Sequence, residues 1–329
     1  MPVETAPMTS KVRAIEAGSH VVAIHFVGES AAIATGGGEI LIAGGSEALI
    51  KAHKGAILAA AGDGERIFTA GDDGKLVATD FEGERETLAD SGGQWIDQVA
   101  LGPAGAVAWS VGKTAFVRAG KGERSLEVAS TVGGLAFAPK GLRLAIAHYN
   151  GATLWFPNAD AKPETLAWKG SHLGALFSPD GRFLITTMQE PALHGWRLSD
   201  GQHMRMSGYP GRVRCMSFTA DEEWLATSGA AEVILWPFRT RDGPMGKEPF
   251  VLAPGAKDTR VSAVACHPTQ ALLAAGYSDG MVMLVRLADA AEILVGRPAG
   301  APISALAWRG DGKMLAFGTE AGKAGLLPL

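Results

Sequence analysis

This sequence repeats itself: a block of short apolar strands, joined by Gly- and Asp-rich turns, occurs eight times along its 329 residues. The interval between blocks is roughly 36–49 residues, a period typical of architectures that build one small sheet from each repeat. A chain of this length can then form one closed array rather than two separate domains. The first strands of the blocks are predicted to begin near Val21, Ile57, Ile96, Val132, Leu173, Val213, Val261 and Ile303.

The fifth block shows the order of strands and turns most clearly. Ser178-Pro179-Asp180-Gly181 separates its first two strands, and Ser199-Asp200-Gly201 precedes its fourth. Pro presets φ and Gly accepts positive φ, so both segments predict tight turns. Helical periodicity is not sustained anywhere. The sequence therefore predicts an all-β fold, a single closed β-propeller domain of residues 1–329 with four-stranded antiparallel blades. We expect eight blades, with seven as the alternative.

The eighth block ends without a fourth strand. Lys11–Glu16 (KVRAIE) alternates charged and apolar residues, which is the pattern of an outer strand with one wet face. We therefore expect residues 11–16 to complete the last blade, and this pairing would remove the open edges of the array.

Composition narrows the classes of partner and location. The net charge is −4, and both signs are spread along the chain, so no basic field favours nucleic acid. Two cysteines are too few for a disulfide framework. Met1–Ser10 lacks the pattern of a signal peptide, and no apolar run approaches the ~18–20 residues of a membrane span. The prediction is a cytoplasmic protein that binds neither nucleic acid nor membrane.

Two motifs point to a known family. Third strands end in Leu154-Trp155, Gly195-Trp196-Arg197-Leu198 and Leu235-Trp236, and the turn Phe177-Ser178-Pro179-Asp180-Gly181 follows a first strand. These motifs resemble the WD-repeat β-propeller family over essentially the whole chain, although the first, third and eighth blocks carry them weakly. The resemblance implies a non-catalytic platform for protein interactions.

The family's buried hydrogen-bond network is approached only in the second block, by His53, Thr69 and Asp73. The same residue types could be mistaken for part of a hydrolytic triad. No Gly-x-Ser-x-Gly motif supplies a nucleophile, so the resemblance implies a structural network that satisfies buried polar atoms.

Metal and catalytic sites are not predicted. Cys215, Cys266 and His267 lack the spacing of a zinc site, and alignment of the blocks places Cys266 at a core position. Asp97 and Gln98 are the main polar exceptions in the first strands, and a lone pair of this kind favours a solvated lining over a cation site. We expect no cofactor, metal or catalytic residue.

Aromatic and arginine residues concentrate in the loops expected at one end of the array, which we name the top face. Trp, Tyr and Arg are enriched at binding hot spots because they give large contact areas or a fork of donors. The alternative is that these residues merely cap the ends of the blades. The predicted contact residues are Trp95, Tyr149, Trp168, His172, Tyr209, Arg212, Arg260 and Tyr277.

The leading functional hypothesis is therefore a rigid scaffold whose top face binds a protein or peptide partner, either as a monomer or within a hetero-complex. Closure would fix the loops, so docking would lose little ordering entropy. An alternative is a hydrolase-like enzyme or small-ligand binder at the channel mouth, with Asp97, His172 and Arg212 as the residues to test. A purely structural subunit of a larger assembly is the third possibility.

Overall fold

The computed structural model describes residues 7–45 and 47–329. The predicted absence of a leader in Met1–Ser10 therefore rests partly on residues outside the description. The chain divides into two compact units. The first unit combines the chain up to Lys51 with Tyr209–Leu329, and the second unit is Ala52–Gly208.

The described residues are almost entirely strands and turns, as the repeats predict. Their helical segments are the 3-10 turns Thr9–Lys11 and Pro103–Gly105. Within the described ranges, no helix has both the length and the apolarity that crossing a membrane requires. All strand pairs are antiparallel and form seven sheets, numbered here along the chain.

The second unit contains sheets 2, 3 and 4. Sheet 2 consists of Ile57–Gly62, Arg66–Gly71, Lys75–Asp80 and Arg85–Asp90. Sheet 3 consists of Ile96–Leu101, Val107–Val111, Thr114–Ala119 and Gly122–Glu127. Sheet 4 consists of Gly134–Phe137, Leu144–Trp155, Glu164–Phe177, Phe183–Met188, Leu193–Arg197 and His203–Met206.

The first unit contains sheets 1, 5, 6 and 7. Sheet 1 consists of Val21–Val27, Ser30–Thr35, Glu39–Ala43 and Ala48–Lys51. Sheet 5 consists of Met216–Phe218, Trp224–Thr227, Val233–Pro237 and Phe250–Leu252. Sheet 6 consists of Val261–Cys266, Leu272–Tyr277, Val282–Arg286 and Ala291–Gly296. Sheet 7 consists of Ile303–Trp308, Met314–Thr319, Lys323–Pro328 and Arg13–Glu16.

Seven sheets replace the eight separate four-stranded sheets that we expected, so that expectation is wrong. The fourth and fifth blocks share the six-stranded sheet 4, because the outer strand of one runs without a loop into the first strand of the next, as Glu164–Phe177. Leu144–Trp155 is also long, and Asn150 and Gly151 within it have φ of 67° and 142°. Positive φ at Asn-Gly is typical of a two-residue hairpin turn.

Close backbone approach explains two glycines of sheet 4. A Cβ on Gly134 would lie 2.7 Å from the Cα of Gly174, and a Cβ on Gly133 would lie 2.2 Å from the carbonyl oxygen of His172. Any larger residue at these positions would force the first strands of the fourth and fifth blocks apart.

Packing between neighbouring sheets forms the core of each unit. In the first unit, Leu235 of sheet 5 shares a buried cluster with Leu273 of sheet 6. Leu284 of sheet 6 shares the next cluster with Leu315 of sheet 7. The second strands of most blocks are buried along nearly their whole length because side chains on both of their faces contact a neighbouring sheet.

The N-terminal strand lies in the last sheet. Arg13–Glu16 pairs antiparallel with Lys323–Pro328, and Ile15 lies opposite Ala324. Ile15 is buried in a cluster with Ile33 of sheet 1 and Leu326 of sheet 7, whereas its strand neighbours Ala14 and Glu16 are exposed. One buried side chain thus anchors an otherwise wet outer strand.

Candidate partner-binding site

A cavity of about 520 Å³ opens in the first unit, at the start of the first strands of its sheets. In sheets 1, 6 and 7 the second residue of that strand sits in a β-bulge, and these residues line the cavity. Bulges re-aim side chains in this way. The polar lining consists of His20, Arg212, Arg214, Ser228, Arg260, Ser262, Ser278, Ser304 and Glu320.

Two serines connect neighbouring first strands below the arginines. Ser262 Oγ donates to the carbonyl oxygen of Ile303 at 2.7 Å, and Ser304 Oγ donates to that of Val21 at 2.7 Å. These hydroxyl groups are therefore committed as donors to the framework, and they fix the spacing of the strands that form the cavity wall.

Two other serines keep their donors free. Ser228 Oγ accepts hydrogen bonds from the backbone N–H groups of Arg214 at 3.1 Å and Cys215 at 3.0 Å. Ser278 Oγ accepts one from the backbone N–H of Arg260 at 3.0 Å. Within the part of the chain that the structure describes, neither hydroxyl hydrogen has an acceptor. Both serines can donate to a ligand.

Arg214 and Arg260 are exposed arginines of the lining. Arg214 Nη1 lies 3.6 Å from Glu320 Oε1, and both side chains are solvent-accessible, so the pair contributes little stability. Arg260 makes no ion pair among the described residues. Its Nη1 lies 2.9 Å from the point where a Cβ on Gly211 would stand, so the guanidinium rests against bare backbone. The lining contains three arginines and one glutamate, so its cationic side chains outnumber its acidic ones.

A second cavity, of about 550 Å³, lies in the second unit. Trp95, Asp97 and Lys113 line it, and the Trp95 side chain is 63% exposed. Asp97 Oδ1 accepts a hydrogen bond from Ser110 Oγ at 2.7 Å. Burial raises the pKa of Asp97, and this hydrogen bond opposes the increase.

Three of the eight predicted contact residues are buried, which removes them from the contact surface. The Tyr277 hydroxyl donates to the carbonyl oxygen of Ala253 at 2.7 Å, and the side chain is inaccessible to solvent. His172 Nδ1 lies 2.8 Å from Thr186 Oγ1 in the second unit. Burial lowers the pKa of His172. The third is Tyr209.

Tyr209 belongs to a chain of buried hydrogen bonds. Trp236 Nε1 donates to the Tyr209 hydroxyl at 2.6 Å. The same hydroxyl lies 2.7 Å from Thr227 Oγ1. Thr227 Oγ1 donates to the carbonyl oxygen of Ile234 at 3.1 Å. Burial raises the pKa of Tyr209 to about 12. Tyr209 lies four residues before Val213, just as His53 of the second block lies four residues before Ile57. The expectation that only the second block has a buried hydrogen-bond network is therefore wrong.

The remaining predicted contact residues are at least partly accessible. Tyr149 is 57% exposed. Trp168 is half-buried and stacks on the His194 ring, with centroids 4.1 Å apart. Arg212 and Arg260 are the two that share one cavity.

The network predicted in the second block has the geometry of a structural hydrogen-bond chain. His53 Nδ1 donates to Asp73 Oδ1 at 2.9 Å, and His53 Nε2 lies 2.9 Å from Thr69 Oγ1. Burial alone would raise the pKa of Asp73, but hydrogen bonds from His53 and the Lys54 backbone N–H outweigh it and lower the pKa.

Neither cysteine lies in a metal-binding cluster. Among the described residues, no group of three His, Cys, Asp or Glu could hold a metal ion. Cys266 Sγ lies 3.4 Å from the carbonyl oxygen of Ser217, and burial raises the pKa of Cys266 to about 12. Burial therefore favours the protonated thiol at neutral pH.

Sequence reasoning missed Arg214, Gly211 and the serines of the cavity. A signal was present, because Ser228 and Ser278 each follow directly after the second strand of their block, and Ser262 and Ser304 each stand second in the first strand. Small polar residues at equivalent positions of successive blocks indicate a shared environment, but the sequence does not show that it is a cavity.

Residues 265–328 match the family model of the anaphase-promoting complex subunit 4 WD40 domain. This part of the chain is therefore similar to a WD40 domain. The matched residues include most of sheets 6 and 7, which supply Ser278, Ser304 and Glu320 to the arginine cavity.

Among solved structures, the computationally designed Ika8 protein resembles this propeller with a TM-score of 0.76 and 14% sequence identity. The alignment covers 99% of both chains, so the similarity extends over the whole fold. None of the curated proteins matches the sequence at a significant level.

Proposed function

We propose that this propeller is a non-catalytic scaffold that binds a protein or peptide partner through the arginine cavity of its first unit. The observation that supports the proposal is the convergence of Arg212 and Arg260, both predicted from sequence as contact residues, on one accessible cavity. The cavity volume is within the range of ~300–1,000 Å³ common for binding pockets. The chain acts as one domain of residues 1–329, an interpretation supported by the 99% coverage of the designed structure.

The enzyme alternative has weaker support. His172, one of its three residues, is buried and hydrogen-bonded to Thr186. Asp97 and Arg212 line separate cavities in separate units. A general acid or base must reach the substrate, and this set does not converge on one point. The cytoplasmic location stays a prediction.

Affinity capture from native cells tests the scaffold function. The tagged propeller is compared with the double variant Arg212→Ala, Arg260→Ala and with Arg124→Ala, which changes an exposed arginine of sheet 3. We expect a partner that the wild type and Arg124→Ala retain and the double variant loses, with all three melting at the same temperature. A partner that the double variant captures equally well would contradict the proposal.

A further inference from the structure

We infer that the arginine cavity recognises an acidic peptide segment, whose carboxylate groups it binds; this inference rests on the proposed function. The polar groups of the cavity that remain for a ligand are almost all donors. Ser228 and Ser278 have hydroxyl hydrogens without an acceptor among the described residues, and the Arg260 guanidinium has no ion-pair partner there. A donor-rich site leaves a cationic or acceptor-poor ligand without partners, whereas carboxylate oxygens accept all of these hydrogen bonds.

The charged side chains of the cavity also favour an acidic ligand. The cavity lining contains three arginines, Arg212, Arg214 and Arg260, and one acidic side chain, that of Glu320. A carboxylate of the ligand can displace Glu320 from Arg214, because their 3.6 Å contact is long and exposed. Several guanidinium groups around one opening favour two or more carboxylates in sequence over a single one, since each arginine can bind one carboxylate bidentately.

The guanidinium of Arg260 lies against Gly211, where no side chain blocks it. The guanidinium nitrogen occupies space that a Cβ at residue 211 would enter, at a separation of 2.9 Å. A methyl group at residue 211 would therefore displace the Arg260 guanidinium from its position beside the cavity. In Gly211→Ala the closest contact is the far end of the flexible Arg260 side chain, and the next is the Gly229 carbonyl oxygen at 3.3 Å, so we expect the arginine to shift most.

The experiment measures binding of a fluorescein-labelled hexaglutamate peptide by anisotropy in low salt. We expect saturable binding at one site, about tenfold or more weaker in Arg260→Glu and in the double variant Ser228→Ala, Ser278→Ala. Gly211→Ala should weaken binding severalfold, Arg260→Lys should retain part of it, and Arg124→Glu should change it less than twofold. Melting curves of the variants exclude unfolding as the cause.

Three competitors make the result decisive. Hexaglutamine should not compete, and added salt should weaken hexaglutamate binding. Tighter binding of a phosphoserine peptide than of hexaglutamate would overturn the carboxylate assignment, and so would tighter binding of oligothymidylate. Equal binding of hexaglutamate to the wild type and to Arg260→Glu would overturn the site itself.

The inference and the proposed function fail in different ways. If Arg260-dependent capture of a cellular partner persists while hexaglutamate does not bind, the scaffold stands and the acidic specificity is wrong. If hexaglutamate binds through Arg260 but no captured partner depends on the cavity, the anion site stands and the scaffold function is wrong.

Discussion

Single side chains in this propeller have roles that depend on burial more than on residue type. The loops predicted to form a contact surface contain tyrosine, histidine and arginine, and the structure separates them. Tyr209 and His172 are buried in hydrogen-bond networks, whereas Arg212 and Arg260 remain accessible. The sequence did not indicate this difference, because Trp168 and His172 lie within the strand Glu164–Phe177 rather than in a loop, and the burial of each side chain depends on tertiary packing.

The Tyr209 network gives a prediction that separates a structural role from a contact role. Tyr209→Phe removes the hydroxyl that links Trp236 Nε1 to Thr227 and leaves a buried N–H without a partner. We expect a loss of about 1–3 kcal/mol in the free energy of unfolding, measured by chemical denaturation. Binding of the hexaglutamate peptide should be unaffected. A variant of unchanged stability that loses binding would restore Tyr209 to the contact surface.

His194 makes the stability of the second unit sensitive to acid. Its ring is buried between Trp168 and Trp196, and neither ring nitrogen has a hydrogen-bond partner among the described residues. Burial, reinforced by the nearby His172, His203 and Arg205, lowers the pKa of His194 to about 3 from the 6.5 of an unperturbed histidine. Between these two values the unfolded chain binds the extra proton, so stability falls as the pH decreases.

We therefore expect His194→Phe to flatten the decrease in unfolding free energy between pH 6.5 and pH 4, by up to about 1.4 kcal/mol per pH unit. His194→Gln should flatten it equally, although its buried amide makes that variant less stable at pH 7. Denaturant titrations across the pH series measure both effects. Slopes identical to that of the wild type would show that another group controls the acid response.

At the scale of strands, the sequence predicted where strands begin better than it predicted how strands are grouped into sheets. A strand begins at or within three residues of seven of the eight predicted starts, and the eighth, Leu173, lies inside Glu164–Phe177. Alternation and Gly-Asp turns are local signals, so they can be read directly from the chain. The fusion of two blocks in sheet 4 depends on how strands pair across a short connection, and no local pattern reports that pairing.

The outer strand Arg13–Glu16 provides a test of how strongly one element holds its sheet. Ile15→Asp places a charge in the cluster that contains Ile33 and Leu326, and we expect it to lower the free energy of unfolding by roughly 3 kcal/mol or more. Ala14→Asp changes the exposed neighbour on the same strand and should cost less than about 1 kcal/mol. Equal stability of the two variants would mean that this strand contributes no core to the fold.

At the scale of the molecule, the net charge of the chain and the charge of its cavity have opposite signs. The chain has a net charge of −4, yet the cavity lining is positive. An acidic partner would therefore meet weak repulsion at long range and attraction only near the cavity. Overall composition could not reveal this arrangement, because it sums charges that the fold separates.

The serine hydrogen bonds across the cavity wall have a consequence for synthesis on the ribosome. The acceptor on Val21 and the donor on Ser304 are 283 residues apart in the chain. At translation rates of about 5–20 residues per second, Val21 waits roughly 15–60 s after its own synthesis for this donor. During that interval the strand Val21–Val27 lacks this contact with the last sheet, so the cavity wall is complete only after translation has passed Ser304.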